Sequence, residues 1–489
     1  METGESVTAQ ASLDPTDWSE LRAQGHRMLD DMLDYLEHIR NRPVWQPIPK
    51  ERRSAFRQGL PNQATDLAKV HDSFMHDVLP YAVGNAHPGF MGWVHGGGTA
   101  VGMLAEMLAG GLNANLGGRD QMPIEVERQV VQWVRELFGF PEAASGLFVT
   151  GTSMANLISL WVARTAVLGV EVRRNGVAGD RRLTAYCAAS AHGSIAQAMD
   201  LAGLGIDALR VIAVNEQRQM DSVALRQAIA NDRAAGYTPF FLAATAGTVD
   251  LGAIDDLALL ADIAASEKLW FHVDGAYGAL AILAQDIAPR LKGIECADSI
   301  AFDFHKWGQV PYDAGFVLIR DGELHRRTFA APTAYLSREQ SGMAAGSPWP
   351  CDFGPDLSRG FRALKTWLTF KVYGTDRLGE MISETCNLAR YLEQRILTTS
   401  QLELLAPVSL NIVCFRYRCT SADQVNTNIV IAIQESGIVA PSTTTIDGRL
   451  AIRAAIVNHR TTAIDLEALL EATLSFGASL SDNTARGAS

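Results

Sequence analysis

The sequence predicts an α/β fold: a mostly parallel central sheet, with a helical segment before it and a small α+β domain after it. Three observations carry this. From about His87 to Val372, short apolar runs alternate with amphipathic helical stretches, the pattern of βαβ units. Before that region, apolar residues recur only at helical spacing and prolines interrupt them. After it come two strand-like runs and a closing helix. The chain therefore divides into an N-terminal helical segment (1–83), a large α/β domain (84–376) and a small C-terminal α+β domain (377–489). Two or three domains are also what 489 residues predict.

Composition removes several classes of protein. Hydrophobic residues are 47% and charged residues 20%, ordinary globular usage, which excludes collagen, coiled coil and disorder. A net charge of −12 would repel nucleic-acid phosphates and anionic lipid, so neither is an expected partner. Cys187, Cys296, Cys351, Cys386, Cys414 and Cys419 are scattered, with no CxxC pair. They read as mostly buried thiols of a reducing compartment, without a disulfide framework or a metal site. Met1 to Pro15 is acidic and lacks an apolar run, so no signal or transit peptide is expected there. No run of 18 apolar residues occurs, so no membrane span is expected either. The expected setting is cytoplasmic.

Taken in order, Asp14-Pro15 reads as a helix cap followed by proline at the first helical position. Trp18, Leu21, Met28, Leu29, Met32, Leu33, Leu36 and Ile39 then recur at helical spacing until Pro43, Pro47 and Pro49. A second helix is expected from Leu67 to Val78. This segment is too small to bury much surface alone, so it should pack on the main body or on a second subunit, of which we favour the second subunit. Strands are expected at Gly146–Thr150, Thr184–Ala188, Leu209–Val214, Phe240–Ala244, Leu269–Asp274, Ser299–Phe304 and Gly315–Ile319. The small domain should hold strands near Leu410–Tyr417 and Leu450–Ile456 and a helix over Thr462–Phe476. Leu480–Ser489 reads as a polar tail.

In such sheets ligands collect at the carboxyl ends of the strands, so the residues just after each run are informative. Thr150 runs into Gly151-Thr152-Ser153 and a helix, a turn that offers N–H groups, hydroxyls and a positive dipole to a phosphate. The plainer reading is an ordinary Ser/Thr helix cap. Asp274 ends an apolar strand, where a buried carboxylate needs a cation or donors; it could also simply cap the next turn. Lys306 lies between His305 and Trp307, company that suits an amine nucleophile in an apolar cleft, although a solvated lysine is the bland alternative. His192 again falls between strand and helix, where a satisfied polar histidine is the commoner outcome. Together, a phosphate cradle, a ring-stacking residue, an Asp and a Lys on strand ends match pyridoxal 5'-phosphate. The Asp would pair with the pyridine nitrogen and the Lys with the aldehyde.

The stretches HVDGAYG and SIAFDFHKW, with the strand–GTS–helix and the helical N-terminus, resemble the group II pyridoxal-phosphate amino-acid decarboxylases, most of all those acting on aromatic L-amino acids. The similarity runs from about Trp18 to Phe476. It implies the fold-type I, aspartate-aminotransferase-like architecture and a homodimer with active sites at the subunit interface. It also implies Lys306 as the cofactor-bearing lysine, Asp274 as the pyridine-nitrogen partner, His192 stacked on the ring and Ala276 against its other face. Thr152, Ser153 and His305 match the phosphate ligands. Thr248 falls in the segment beside the cofactor hydroxyl, with its register open. Tyr335, in Pro332-Thr-Ala-Tyr-Leu336, matches the loop tyrosine that protonates the substrate carbon after carbon dioxide leaves.

The sequence also departs from that pattern. Asp303, among the cofactor-binding positions, stands where aromatic decarboxylases usually carry Asn. Asn115 replaces a partner-chain aromatic of the substrate pocket, with Arg119 nearby. Trp93 and His95 fall on the wall facing the substrate side chain, where Trp93 suits stacking on a ring. The space left at Asn115 favours a bicyclic substrate such as L-tryptophan; a polar or acidic amino acid reaching Asn115 or Arg119 is the competitor. Decarboxylation ending in an aldehyde is a further alternative. From a different class, His95-Gly-Gly-Gly98 and Gly151-Thr-Ser-Met-Ala155 resemble the oxyanion-hole and nucleophile-elbow motifs of α/β-hydrolases. Ser153, Asp274 and His305 or His325 would then form the triad, and Lys306 would have no task.

Overall fold

The computed structural model describes residues 12–177, 179, 181–330 and 339–487. Among them, twelve strands form two sheets: β1 (Phe90–Met91), β2 (Ser145–Val149), β3 (Leu183–Ala188), β4 (Leu209–Ile212), β5 (Thr238–Thr245), β6 (Trp270–Asp274), β7 (Ser299–Asp303), β8 (Gly315–Ile319), β9 (Leu402–Leu404), β10 (Ile412–Tyr417), β11 (Ala440–Ile446) and β12 (Arg449–Ala455). The larger sheet has the order β2-β8-β7-β6-β5-β3-β4. Its pairs β3/β4, β3/β5, β5/β6 and β6/β7 are parallel, and β8 runs antiparallel to both β2 and β7. Each of the seven strand runs expected from the sequence lies in this sheet, with ends shifted by up to two residues and Gly315–Ile319 unchanged.

The runs are continuously apolar because both faces of the sheet are covered. Alternate residues point to opposite sides. On one side Tyr186, Leu242, Phe302 and Phe316 meet the helices Met122–Leu137, Ser222–Ala234 and Leu257–Glu267 through Val130, Val134, Leu225, Ile229, Leu260 and Ile263. On the other, Ala185, Cys187, Phe241 and Ala243 meet Leu157 and Leu160 of the helix Thr152–Leu168 and Ile195 of the helix Ser194–Leu201. The helix Thr152–Leu168 also covers Ala301, Val317 and Ile319 through Ala155, Ile158 and Val162. Its N-terminus is thereby carried to the carboxyl end of the sheet, where Thr245, Asp274 and Ala301 lie in register.

The smaller sheet, β1-β11-β12-β10-β9, is antiparallel apart from the β1/β11 pair. β1 comes from the sequence region of the large domain yet completes this sheet. The helix Arg362–Leu397 serves both cores: Ala363, Ile382 and Cys386 join the large one, Leu388 and Leu392 the small one. Its backbone leaves helical geometry at Gly374, with φ 71°, a value that costs glycine little.

Several expectations at helix ends are corrected. The first helix starts at Trp18, and its cap is Asp17, whose carboxylate accepts the Ser19 N–H at 2.7 Å; Asp14-Pro15 lies outside it. The second stretch is α-helical over Leu67–Ser73 and then widens to π-geometry over Phe74–Val78, ahead of Pro80. The closing helix covers Ala463–Gly487 and so runs through most of the expected tail, because no proline interrupts it there. Of the six thiols, Cys187, Cys386 and Cys414 are buried and pushed up to about 12 by that burial; Cys296 is exposed, and all six are free. No helix among the described residues is long and apolar enough to cross a membrane.

Candidate active site

A cavity of about 420 Å³ opens at the carboxyl ends of β2, β3, β5, β6 and β7. Thr152, Ser153, His192, Asp274, Ala276, Asp303, His305 and Lys306 all line it, together with Trp93 and His95. These residues lie far apart in sequence, and parallel strands bring them together.

After β2 the chain turns at Gly151 into the helix that begins at Thr152. A Cβ on Gly315 would overlap the Cα of Gly151, so only glycine lets β8 approach this turn. The Thr152 N–H donates to Asp303 Oδ1 at 2.8 Å. The Thr152 Oγ1 is buried with no hydrogen-bond partner, a costly state that an oxyanion at this helix N-terminus would relieve. His305 Nδ1 accepts the Ala314 N–H at 3.0 Å, so a neutral ring carries its proton on Nε2, 3.6 Å from Asp303 Oδ2. Burial, more than any neighbouring charge, holds this imidazole below its usual pKa.

Asp274 ends β6 almost fully buried. Its Oδ2 accepts from Asn156 Nδ2 at 2.9 Å and its Oδ1 from the Ala276 N–H at 3.1 Å. Burial pushes the carboxyl up; the Asn156 amide and the Lys306 charge counter that only in part. Behind Asn156 stands a defined chain of hydrogen bonds. Trp270 Nε1 donates to Ser299 Oγ at 2.8 Å, leaving the hydroxyl to donate to His272 Nδ1 at 2.8 Å. His272 Nε2 then donates to Asn156 Oδ1 at 2.9 Å, which aims the amide nitrogen at Asp274. Burial takes the His272 pKa down to about 3, so the ring is neutral at any working pH. Asn156 also donates to Ser194 Oγ at 3.0 Å, and that hydroxyl lies 2.9 Å from His192 Nδ1. Asn156, His272, Ser299 and Ser194 were missed in the sequence. The signal was periodicity: His272 and Asp274 share a strand face at i, i+2, and Thr152 and Asn156 share a helix face at i, i+4.

Lys306 follows β7, with Nζ 2.9 Å from Asp303 Oδ2. Across the cavity mouth, Trp93 stacks on His95 with ring centroids 5.8 Å apart and Tyr312 meets His95 edge-on at 5.9 Å, while buried Phe90 backs His95 at 5.7 Å. Trp93 is 53% exposed and holds a left-handed backbone, φ 46°, a strained conformation that collects at functional sites.

Three expected residues do not reach this cavity. Thr248 is buried with its Oγ1 accepting the Ala253 N–H at 3.1 Å, and Thr245 and Gly247 line the wall instead. Asn115 Oδ1 accepts the N–H groups of Gly117 and Arg359, and Arg119 stacks over Trp349 at 4.7 Å. Neither faces the cavity of its own chain. Tyr335 lies outside the described residues.

A triad of the hydrolase kind does not fit this geometry. Asp274 is held by Asn156 and Ala276, His305 Nδ1 by Ala314, and buried His325 by Ser145 Oγ at 2.8 Å. The Gly97 N–H, needed for an oxyanion hole, donates to Gln309 Oε1. A comparison with protein families is decisive: the pyridoxal-dependent decarboxylase conserved domain matches residues 49–418. The chain belongs to the pyridoxal-dependent decarboxylases. It is a group II amino-acid decarboxylase, a lyase that uses pyridoxal 5'-phosphate. An aromatic-L-amino-acid decarboxylase of Bacillus atrophaeus is 33% identical over 91% of this chain and 93% of its own. An L-2,4-diaminobutyrate decarboxylase of Rhizobium meliloti (strain 1021) is 32% identical over 84% and 82%. In fold, the crystal structure of Oryza sativa TDC with PLP and tryptamine superposes with a TM-score of 0.86 at 24% identity, covering 96% of this chain and all of that one. The fold-type I architecture of this decarboxylase family accounts for the parallel sheet and for the site at its carboxyl edge. The site suits the cofactor: a dipole end with an orphaned hydroxyl for phosphate, a carboxylate at the sheet floor and an amine opposite.

Proposed function

We propose that this decarboxylase acts on an aromatic L-amino acid, L-tryptophan above others, releasing carbon dioxide and the corresponding amine. The observation that carries the reading is the aromatic wall of Trp93, His95 and Tyr312 at the cavity mouth, backed by buried Phe90. Offset and edge-on ring contacts there would favour an aromatic side chain by about 0.5–1.5 kcal/mol per pair beyond area burial. Pyridoxal phosphate, when bound, supplies the electron sink for the negative charge left on Cα. In this reading Lys306 supplies the amine that attaches the cofactor, and Asp274 holds the proton on its pyridine nitrogen. His192 and Ala276 flank the ring, and Thr152, Ser153 and His305 take the phosphate. Tyr335 delivers the proton to Cα, and Tyr335→Phe should then keep carbon dioxide release while amine yield falls. Near-normal amine yield would remove Tyr335 from this role, and a switch to aldehyde would mean the tyrosine commits the product.

Asn115 and Arg119 would belong to the neighbouring subunit's pocket in a homodimer. What supports this is the helix Ala100–Leu112, which leaves Met107, Leu108 and Leu112 more than half exposed, an unusual apolar surface for a monomer. Sedimentation at micromolar concentration tests it: a monomer would contradict the assembly. Incubation with a panel of L-amino acids, measuring carbon dioxide and amine, tests the substrate. The highest kcat/KM on an acidic amino acid would overturn the aromatic reading and point to Arg119 as a carboxylate clamp.

A further inference from the structure

The carboxylate of Asp303 is 2% exposed at the end of β7. Its two oxygens take the Thr152 N–H at 2.8 Å and Lys306 Nζ at 2.9 Å, with His305 Nε2 at 3.6 Å. The N–H and the imidazole are donors that the phosphate cradle needs, and the amine is the group that attaches the cofactor. One side chain of the protein therefore already holds one donor of the cradle and the amine, with the imidazole just beyond hydrogen-bond reach. A carboxylate has only acceptors.

We propose that Asp303 is a resident counter-ion of the cradle and makes cofactor loading proton-linked: the phosphate group enters together with one proton taken up on Asp303. The inference rests on the pyridoxal-phosphate reading of the site and names how that site is regulated. Two anions sharing one buried donor set repel strongly. Protonation removes the repulsion and converts Asp303 into a donor for the phosphate. Among the described residues, Lys306 and His305 face Asp303 from its own loop, and Tyr312 from the segment that follows. The helix Thr152–Leu168 turns only the uncharged Thr152 toward it, and the turn after β6 contributes the Ala276 carbonyl, which accepts the Asp303 N–H at 3.0 Å. Asp274 interacts with both Lys306 and His192, while Asp313 and Lys365 act on His305. Of these groups, Asp303 is the acid bonded to both the cradle and the amine.

The sign follows from linkage. A proton bound in the complex and not in the free protein makes affinity fall as pH rises. The probe is pyridoxine 5'-phosphate, which has the ring and the phosphate but no aldehyde to attach to Lys306. Its affinity for the full chain stripped of cofactor is measured by calorimetry between pH 7 and 9, where the phosphate is already a dianion. Wild-type affinity should fall by up to about tenfold per pH unit. Asp303→Asn should bind at least about tenfold tighter at pH 8, with a flatter profile and about one proton fewer taken up than in the wild type, the proton on the ring nitrogen beside Asp274 being common to both. Parallel pH profiles, or weaker binding by Asp303→Asn, would overturn the proposal. Asp303→Ser, which removes the charge and can still accept the Thr152 N–H, makes the same comparison should the Asn variant not fold. Borohydride reduction of the chain with pyridoxal 5'-phosphate, followed by peptide mapping, separates the two readings. Label on Lys306 with parallel profiles sinks only the proton linkage, whereas absence of label from Lys306 sinks the site.

Discussion

At the residue scale, the floor of the site is held by groups whose protonation is dictated by burial and partner geometry. Asn156 is the pivot, because it joins Asp274 to neutral His272. Asn156→Leu leaves Asp274 with the Ala276 N–H and no side-chain donor. Its carboxyl, already raised by burial, should rise further, and activity should be lost at a higher pH as the assay is acidified. A rate loss on the order of 10²-fold is expected from losing one donor in a dry site; an unshifted pH profile would mean that Asn156 merely fills space. His272 adds a stability prediction. Its folded pKa of about 3 lies below the unfolded value of about 6.5, so the unfolded chain binds the proton first. Its stabilising contribution is present above about pH 6.5 and is lost as pH falls toward 3. Denaturant midpoints measured from pH 7 to 4 should decline less steeply in His272→Gln, with buried His325 still contributing in the same direction. Lys306, Asp274, Thr152 and His192 were legible in the sequence because each follows an apolar run at a strand end. Asn156 and His272 were not, because they lie inside the helix and strand patterns and declare themselves only when those faces are laid together.

At the element scale, the decisive junction is where β2 turns into the helix Thr152–Leu168 beneath β8. Gly315→Ala places a methyl group against the Gly151 backbone, so the turn must move and carry Thr152 and Ser153 with it. Cofactor retention through gel filtration should fall, with secondary structure by circular dichroism unchanged; full retention would show that the turn has slack. The same elements show what local pattern can and cannot fix. Gly315–Ile319 was legible to the residue because an apolar run is bounded by glycine and by Arg320. Helix ends were harder. Asp17 outcompetes Asp14 for the first cap because its carboxylate reaches the Ser19 N–H, a matter of chain direction that both residues satisfy equally on paper. The polar stretch after Phe476 continues as helix, because Gly477 stays within the helix without the positive φ of a cap and no proline follows it. The register left open at Thr248 has a related reason: its hydroxyl closes the turn to Ala253, and Thr245 of the same segment lines the wall.

At the scale of the whole molecule, two cores joined by the helix Arg362–Leu397 present one cavity at the sheet edge, and the substrate is selected at its mouth. The general architecture was legible because alternating strand and helix patterns are long and repeated. The composition of the mouth was only half legible: Trp93 and His95 line it, whereas Tyr312 went unnoticed and Asn115 and Arg119 turn away from their own cavity. The aromatic wall is the central claim, and one comparison tests it most directly. It measures kcat/KM for L-tryptophan and for L-2,4-diaminobutyrate in the wild type and in Trp93→Ala. The wall predicts that the wild type favours L-tryptophan. It also predicts that Trp93→Ala loses about ten- to a hundredfold on L-tryptophan, the usual range for a lost pocket contact, with little change on the diamino acid. A wild type that prefers L-2,4-diaminobutyrate, or an equal loss on both substrates in Trp93→Ala, would contradict it.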